Sequence, residues 1–176
     1  MYSPLKTIAT VAMLATTAIA SAGQLRTTAA APEFTGIDKW LNSEPLTMSQ
    51  LRGKVVLVDF WTYSCINCVN TLGYVSSWHK KYKDQGLVVI GVHTPEYAFE
   101  RSTDNVKTAI KRFNISYPVA QDNRYATWNA YSNQYWPAFY LIDKTGKIVY
   151  THFGEGKYAE TEATIQRLLA QNTGAQ

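Results

Sequence analysis

The chain has 176 residues, of which 46% are hydrophobic and 17% are charged, a composition that excludes a disordered protein. Its 17 basic and 13 acidic residues give a formal net charge of +4, which is mild and spread along the chain. This pattern excludes the dense basic surface of a nucleic-acid-binding protein, and the length suits a single domain.

The start of the chain predicts a secretory signal peptide over residues 1–22. Lys6 supplies a positive charge, residues 8–20 are a short run of small and apolar residues, and Ala20-Ser21-Ala22 is an A-x-A cleavage pattern. The run is short for the roughly 20 apolar residues of a transmembrane helix, and an uncleaved N-terminal anchor is the alternative. Residues 23–33 follow as a predicted flexible tether. We therefore expect the protein to be periplasmic or otherwise exported.

The predicted domain spans residues 34–171 and opens with a short β-rich segment over 34–51. The run KVVLVDFW at 54–61 is nearly continuous in apolar residues, which is typical of a strand buried on both faces. A helix is predicted over 66–85, and Gly86 closes it as a C-cap.

The rest of the domain alternates between predicted strands and helices and ends in a hairpin and a helix. The predicted elements are a buried strand at 87–93, a helix through 113 capped by Thr103 or Asp104, a strand at 117–120, a short helix at 123–131, paired strands at 138–143 and 147–153, and a helix at 158–171. Residues 172–176 are predicted to form a disordered tail. This order indicates an α/β fold with a central mixed sheet flanked by helices.

Cys65 and Cys68 are the only cysteines of the chain, and they lie between a predicted strand and a predicted helix. The first thiol is then at a helix N-terminus, where backbone N–H groups and the helix dipole stabilise a thiolate. A structural disulfide gains stability with loop length, so a two-residue loop indicates a catalytic pair. No Lys or Arg lies between Lys54 and Lys80, so we expect backbone groups to lower the pKa of Cys65.

Other positions are candidates for the same site. Asp59 is a carboxylate in an otherwise apolar strand, where burial would raise its pKa and let it take the proton of the second thiol; a solvent-facing Asp is the alternative. Pro137 precedes a predicted strand, a position that suits a residue without an N–H, and an ordinary trans turn is the alternative. Trp61, Tyr63 and Trp136 are candidate substrate contacts, with core packing as the alternative for Trp61.

The motifs around these positions resemble the thioredoxin superfamily and its exported redoxin branch, the TlpA-type proteins and especially the thioredoxin-like domain of DipZ-type proteins. The resemblance covers about residues 34–169 and is carried by FWTYSCINC at 60–68, GVHTPE at 91–96, YWPA at 135–138 and GEG at 154–156. It implies a thioredoxin-like fold with an extra strand and helix over 117–131. It also implies that Cys65 is the attacking nucleophile, Cys68 the resolving thiol, Asp59 the buried acid and Pro137 a cis-proline.

The resemblance implies an exported thiol–disulfide oxidoreductase that acts on protein disulfides and receives electrons from a membrane thiol donor. It also implies that the enzyme uses no cofactor or metal beyond its cysteine pair. The inner dipeptide is Ile66-Asn67, without the histidine of the strong periplasmic oxidant, and favours a moderate or reducing potential. Candidate substrates are apocytochrome c in cytochrome c biogenesis, oxidase assembly factors and damaged secreted proteins. Reducing damaged secreted proteins would be an antioxidant activity. We expect a monomer.

Two other functions stay open. Thr62 and Cys65 match part of the peroxiredoxin motif, but Val58 stands where that motif has Pro. Two cysteines with a histidine such as His152 can bind copper or zinc. Exported copper chaperones of similar fold carry a CxxxC, however, and here the spacer has two residues.

The remaining titratable residues give weaker signals. His79 lies beside two lysines and is expected on the surface. His93 ends a predicted strand and could line the site. Glu96 and Glu100 are expected in a solvated loop near that strand end.

Overall fold

The computed structural model describes residues 29–171, so the predicted signal peptide at 1–22 and the predicted tail at 172–176 lie outside the described residues. The described part folds into one six-stranded sheet with α-helices and two 3₁₀ turns. In chain order the elements are β1 (Lys39–Leu41), β2 (Val55–Trp61), α1 (Ile66–Tyr82), a 3₁₀ turn (Lys83–Gln85), β3 (Leu87–His93), a 3₁₀ turn (Ala98–Arg101), α2 (Thr103–Arg112), β4 (Val119–Gln121), α3 (Ala126–Ala130), β5 (Ala138–Ile142), β6 (Ile148–Phe153) and α4 (Tyr158–Ala170).

The sheet is mixed, as predicted, with the strand order β1-β4-β3-β2-β5-β6. Strands β2, β3 and β4 are parallel, and α1 and α2 supply the crossovers that parallel neighbours require. Strands β1, β5 and β6 are antiparallel to their neighbours. The C-terminal ends of β2 and β3 and the start of β5 therefore meet at one edge of the sheet.

The central strand β2 separates two hydrophobic cores, and all seven of its residues are buried. Val55, Leu57 and Trp61 pack with residues of α1, α2 and α4, whereas Val56, Val58 and Phe60 pack with α3 and the N-terminal segment. Fully burying each such side chain contributes about 1.5–3 kcal/mol. Because side chains alternate along a strand, Asp59 lies on the same face as the helix that carries Cys68.

Helix α1 begins after Cys65, its N-cap, and ends where it tightens into the 3₁₀ turn Lys83–Gln85. Gly86 then leaves the helix with φ of 103°, a left-handed conformation that glycine adopts without steric cost. The predicted helix with a terminal glycine is therefore present, with a 3₁₀ final turn.

The predicted cap of α2 is wrong by one or two residues. The N-cap is Ser102, whose extended backbone lets its hydroxyl accept a hydrogen bond from the backbone N–H of Asn105. Thr103 is already helical, and its hydroxyl donates to the side chain of Gln121 at 2.9 Å instead.

The extra strand and helix expected over 117–131 are present as β4 and α3, but both have different bounds. Strand β4 starts after Pro118, which has no N–H to give to a ladder. Helix α3 begins at Ala126 because the carboxylate of Asp122 accepts the backbone N–H groups of Thr127 and Trp128, at 3.3 and 2.8 Å. Asn123 therefore stays outside the helix that was predicted to start there.

The described part of the predicted tether, residues 29–33, is attached to the domain. Ala30 forms an antiparallel bridge with Lys147, and the backbone N–H of Ala31 donates to Gly146 at 2.9 Å. The carboxylate of Glu33 accepts the N–H of Met48 at 2.7 Å. Residues 29–33 therefore contact the domain, because the sheet edge near β6 offers backbone partners to this segment.

Candidate active site

The cysteine pair lies where β2 leaves the sheet and α1 begins, as its position in the sequence predicts. Cys65 is the N-cap of α1, and its sulfur accepts the backbone N–H of Cys68 at 3.3 Å. Cys65 is partly exposed, whereas Cys68 is fully buried in the core beneath it. Both are free thiols in this structure. Only Cys65 can therefore be reached by an incoming disulfide.

The two thiols have very different acidities. A hydrogen bond from the Cys68 thiol, helped by backbone N–H groups of Cys68 and Asn67, lowers the pKa of Cys65 to about 7 against the opposing effect of burial. Burial, and then the neighbouring Cys65, raise the pKa of Cys68 above its ordinary value. The expectation that backbone groups alone would lower the Cys65 pKa is corrected, since the second thiol contributes most. Near neutral pH Cys65 is therefore the more acidic thiol and carries the larger thiolate fraction of the pair.

Asp59 is fully buried on the face of the sheet that α1 covers. Burial first, and the charge of Cys65 second, raise the pKa of this carboxyl to about 8. Asp59 in turn contributes to the raised pKa of Cys68, so the carboxyl and the two thiols interact electrostatically. A carboxyl with a pKa near neutrality can accept a proton from Cys68 and return it.

Pro137 lies at the same edge of the sheet as the cysteine loop. Ala138 pairs with Phe60 in the antiparallel β2–β5 ladder, which places Pro137 level with the end of β2. The Trp136–Pro137 peptide bond is cis. The indole N–H of Trp136 donates to the carbonyl of Thr94 at 3.0 Å, and the N–H of Thr94 donates to the carbonyl of Trp61 at 3.1 Å. Three loops are thereby tied together around the site.

The three candidate substrate contacts differ in placement. Trp61 is fully buried, so as placed it cannot offer a surface to a substrate, and the alternative of core packing describes it. Tyr63 is half-buried, stacks on His93 with ring centroids 5.6 Å apart, and donates its hydroxyl to the carbonyl of Phe99. Trp136 is half-buried and packs against both cores. Tyr63 and Trp136 are the two that remain partly accessible.

Glu100 was expected in a solvated loop but is fully buried. Its carboxylate accepts hydrogen bonds from the Ser64 hydroxyl at 2.6 Å and from the backbone N–H groups of Glu96 and Tyr97 at 2.6 and 2.9 Å. Burial raises its pKa, but the hydrogen bonds outweigh burial and hold the pKa below its ordinary value. Sequence reasoning missed this residue because a 3₁₀ turn, not a periodic element, turns it inward.

Two buried polar residues, Thr62 and His93, lie at the C-terminal ends of β2 and β3. The hydroxyl of Thr62 is 3.3 Å from Nε2 of His93. Burial lowers the pKa of His93 to about 4, so its imidazole is neutral near pH 7. His93 therefore supports the loop without adding a positive charge near Cys65. His79, expected on the surface, is half-buried with its ring against Tyr117.

Exposed aromatic rings lie on two sides of the sheet edge that carries the cysteine loop and Pro137. Tyr97 stacks on Phe99 with centroids 5.6 Å apart, and both are more than half exposed, at 53% and 56%. A largely apolar groove of about 310 Å³ runs from Tyr63 and Phe99 along α2. On the Pro137 side, Tyr135 contacts Phe153, which pairs with the first residue of β5.

The described residues contain neither a cluster of metal ligands nor a helix that could span a membrane. Between residues 29 and 171, no three His, Cys, Asp or Glu side chains are grouped so that they could hold a metal ion. His152 bonds the carbonyl of Glu155 within the β6 region. In the same range, none of the helices combines the length and the apolar character needed to cross a membrane.

Comparisons with known proteins agree on one family. A family model described as Redoxin matches residues 26–169. The chain is 53% identical over 151 residues to Protein DipZ of Mycobacterium bovis, covering 84% of this chain but 22% of DipZ. It is 35% identical over 141 residues to Thiol-disulfide oxidoreductase YkuV of Bacillus subtilis, covering 80% of this chain and 94% of YkuV. The chain thus spans about a fifth of the length of DipZ and nearly all of YkuV.

Among solved structures, the chain is similar to one described as a thioredoxin-like protein in the oxidized form. The TM-score is 0.74 with 34% sequence identity, and the match covers 84% of this chain and 97% of the other.

Proposed function

The chain belongs to the Redoxin family and has a thioredoxin-like fold, and we propose that it is an exported thiol–disulfide oxidoreductase that reduces disulfides in other proteins through Cys65 and Cys68. The observation that carries the proposal is the asymmetry of the pair. Cys65 is a partly exposed helix N-cap with a pKa of about 7, and Cys68 is a buried thiol with a raised pKa. Such a pair can attack an external disulfide with one sulfur and keep the other as a protonated thiol for the second step.

The reaction runs in two steps. The Cys65 thiolate attacks one sulfur of the target disulfide, which breaks that bond, forms a mixed disulfide and releases the first target thiolate. Cys68 then loses its proton and attacks the sulfur of Cys65, which forms the Cys65–Cys68 disulfide and releases the second target thiolate. Two electrons pass from the dithiol to the target, and the two thiolates take up protons at the end.

Asp59 serves the second step in this proposal. The charge of the Cys65 thiolate helps to raise the pKa of Asp59 in the reduced protein. Forming the mixed disulfide removes that charge, so the pKa of Asp59 falls and the carboxylate form becomes more populated. The base is therefore available at the stage at which Cys68 must lose its proton.

The reducing direction is supported by the residues between the cysteines. Ile66 and Asn67 supply no positive charge to stabilise a Cys65 thiolate, unlike the histidine of the strong oxidant. A less stabilised thiolate makes the dithiol a better electron donor. Re-reduction by a membrane thiol donor would complete the cycle. Export is supported by the signal-like pattern over residues 1–22, and mass spectrometry of the secreted form would test cleavage after Ala22.

Insulin reduction under steady reductant tests the activity. The wild type should precipitate insulin chains, and Cys65→Ser should not; equal rates would overturn the proposal. The reduction potential of the pair tests the direction, since a value well below the about −120 mV of the strong periplasmic oxidant is expected.

Two further assays on the same protein test the alternative functions, a peroxidase and a copper chaperone. Hydrogen peroxide consumption that exceeds disulfide reduction would favour a peroxidase, although the Thr62 hydroxyl is turned towards His93. Stoichiometric copper retention that His152→Ala abolishes would favour a copper chaperone.

A further inference from the structure

Gly91 marks a point where three buried side chains converge beneath the cysteine pair. It pairs with Asp59 across the parallel β2–β3 ladder, so its side-chain position lies beside the Asp59 carboxyl on the α1 face of the sheet. A methyl group at position 91 would lie 2.9 Å from Nε1 of Trp61 and 3.1 Å from Cε2 of Tyr117. Glycine is needed here because the indole and the phenol ring occupy the space over it.

These three side chains carry polar atoms without hydrogen-bond partners in the described structure. They are both carboxyl oxygens of Asp59, Nε1 of Trp61 and the hydroxyl of Tyr117. All three residues are fully buried, and buried polar groups in folded proteins are nearly always bonded. The set is complementary, since an indole N–H donates, a carboxylate accepts, and a phenol hydroxyl does either.

We propose that Tyr117 and Trp61 donate hydrogen bonds to the Asp59 carboxylate through one bound water, and that Tyr117 is thereby a positioning residue for proton transfer in the resolving step. The inference rests on the proposed function of the cysteine pair, and it adds Tyr117 and Trp61 as hydrogen-bond donors that serve the resolving step. A buried water needs two to four polar partners, and the convergence at Gly91 supplies that number.

In this step the proton of the Cys68 thiol moves to the Asp59 carboxylate, and the resulting sulfur anion attacks Cys65. The carboxylate exists only briefly in an apolar core, so donors aimed at it lower the cost of its charge. Burial, and then Asp59, raise the pKa of Tyr117 well above 10, so its hydroxyl keeps its proton and remains a donor.

The other titratable groups that face this cluster come from α1 and its N-cap. Cys65 and Cys68 interact electrostatically with Asp59 from one side. The imidazole of His79 packs against the ring of Tyr117 with centroids 5.8 Å apart. Burial, and then Lys83, lower the pKa of His79, so it is neutral near pH 7 and adds no charge to the cluster.

The reaction of the reduced protein with the aromatic disulfide DTNB, followed by stopped flow, tests the inference. The first thionitrobenzoate is released when Cys65 attacks, and the second when Cys68 resolves the mixed disulfide. Tyr117→Phe should leave the first phase unchanged and slow the second about tenfold at pH 7. The midpoint of the second phase against pH should rise by about one unit, the shift to which a tenfold change corresponds.

Tyr131→Phe is the matched control, because Tyr131 is also a buried tyrosine but lies in the other core, with its hydroxyl on the carbonyl of Pro32. It should leave both phases unchanged. Tyr117→Phe and Tyr131→Phe each lose one hydrogen bond, so the free energy of unfolding should fall no further in Tyr117→Phe than in Tyr131→Phe. A larger loss of stability in Tyr117→Phe would indicate a structural role.

Two results would overturn the inference while leaving the proposed function intact. The first is a second phase in Tyr117→Phe that has the rate and pH midpoint of the wild type. The second is that Tyr117→Phe slows the second phase as much in the Asp59→Asn background as in the wild type. If Tyr117→Phe slows the second phase and also lowers stability, the Asp59→Asn background decides, because a positioning residue has no further effect there. Absence of the second phase in the wild type would instead contradict the proposed function.

Discussion

The hydroxyl of Ser64 donates a 2.6 Å hydrogen bond to the buried carboxylate of Glu100, and Ser64 is the residue directly before Cys65. The same carboxylate accepts two backbone N–H groups from the loop after β3. One buried charge therefore joins the loop that carries Cys65 to the loop that follows the neighbouring strand β3. Hydrogen bonds to a charged group contribute about 1.5–3 kcal/mol each, which makes this contact a main constraint on the site.

Glu100→Gln should destabilise the protein by about 1.5–3 kcal/mol, because an amide nitrogen would then face N–H donors that need an acceptor. Glu96→Gln is the matched control: this side chain is exposed, so we expect a change within about 0.5 kcal/mol. Urea unfolding of both variants measures the difference, and equal stabilities would contradict the assigned role.

The lowered pKa of Glu100 also gives a pH dependence. A carboxyl whose pKa is lowered by folding stabilises the folded state above its ordinary pKa of 4.5 and loses that contribution as the pH falls through the lowered value. The stability gap between wild type and Glu100→Gln should therefore narrow in acid.

Cys68→Ala should raise the pKa of Cys65 from about 7 towards 9, because the Cys68 thiol is the largest cause of the lowered value. Cys68→Ser keeps a hydrogen-bond donor at the same place and should raise it less. Thiolate absorbance at 240 nm against pH, or the alkylation rate with iodoacetamide, measures the shift. A Cys65 titration in Cys68→Ala identical to that of the wild type would show that the helix N-terminus alone sets the pKa.

Asp59→Asn should stabilise the protein near neutral pH. Folding raises the pKa of Asp59 from 3.8 to about 8, so the stability of the wild type is highest below pH 3.8 and falls as the pH rises towards 8. At pH 7 this burial costs on the order of 4 kcal/mol. Thermal unfolding between pH 4 and pH 9 should show the decline in the wild type and not in the variant; parallel curves would count against a raised pKa.

Tyr63→Ala should weaken reaction with a protein disulfide more than with a small one, because Tyr63 borders the groove along α2 next to the cysteine loop. We expect KM for insulin to rise several-fold. Tyr74→Ala removes an aromatic ring of α1 that stacks on Tyr158 and serves as the control. Steady-state kinetics with both variants checks this, and a similar change in KM would argue against a contact role for Tyr63.

Much of the fold could be predicted because it depends on local patterns. The continuous apolar runs of β2 and β3 are found where they were predicted, since a strand buried on both faces needs apolar residues throughout. The thioredoxin-like fold implied by the family resemblance over about residues 34–169 is confirmed. Short elements were placed less well, because side-chain caps from Ser102 and Asp122 moved their ends.

The order of residues along the chain was enough to predict the chemistry: two cysteines one helical turn apart after a buried strand, and a carboxylate within that strand. The surroundings of these groups depend on the folded structure. It buried Glu100 under the cysteine loop, buried Trp61 instead of exposing it, and brought Tyr117 over Gly91 beside Asp59. Spacing along the chain specifies which residues share a helix end or a strand face, whereas contacts between β3, its following loop and the segment before β4 depend on how the sheet is assembled.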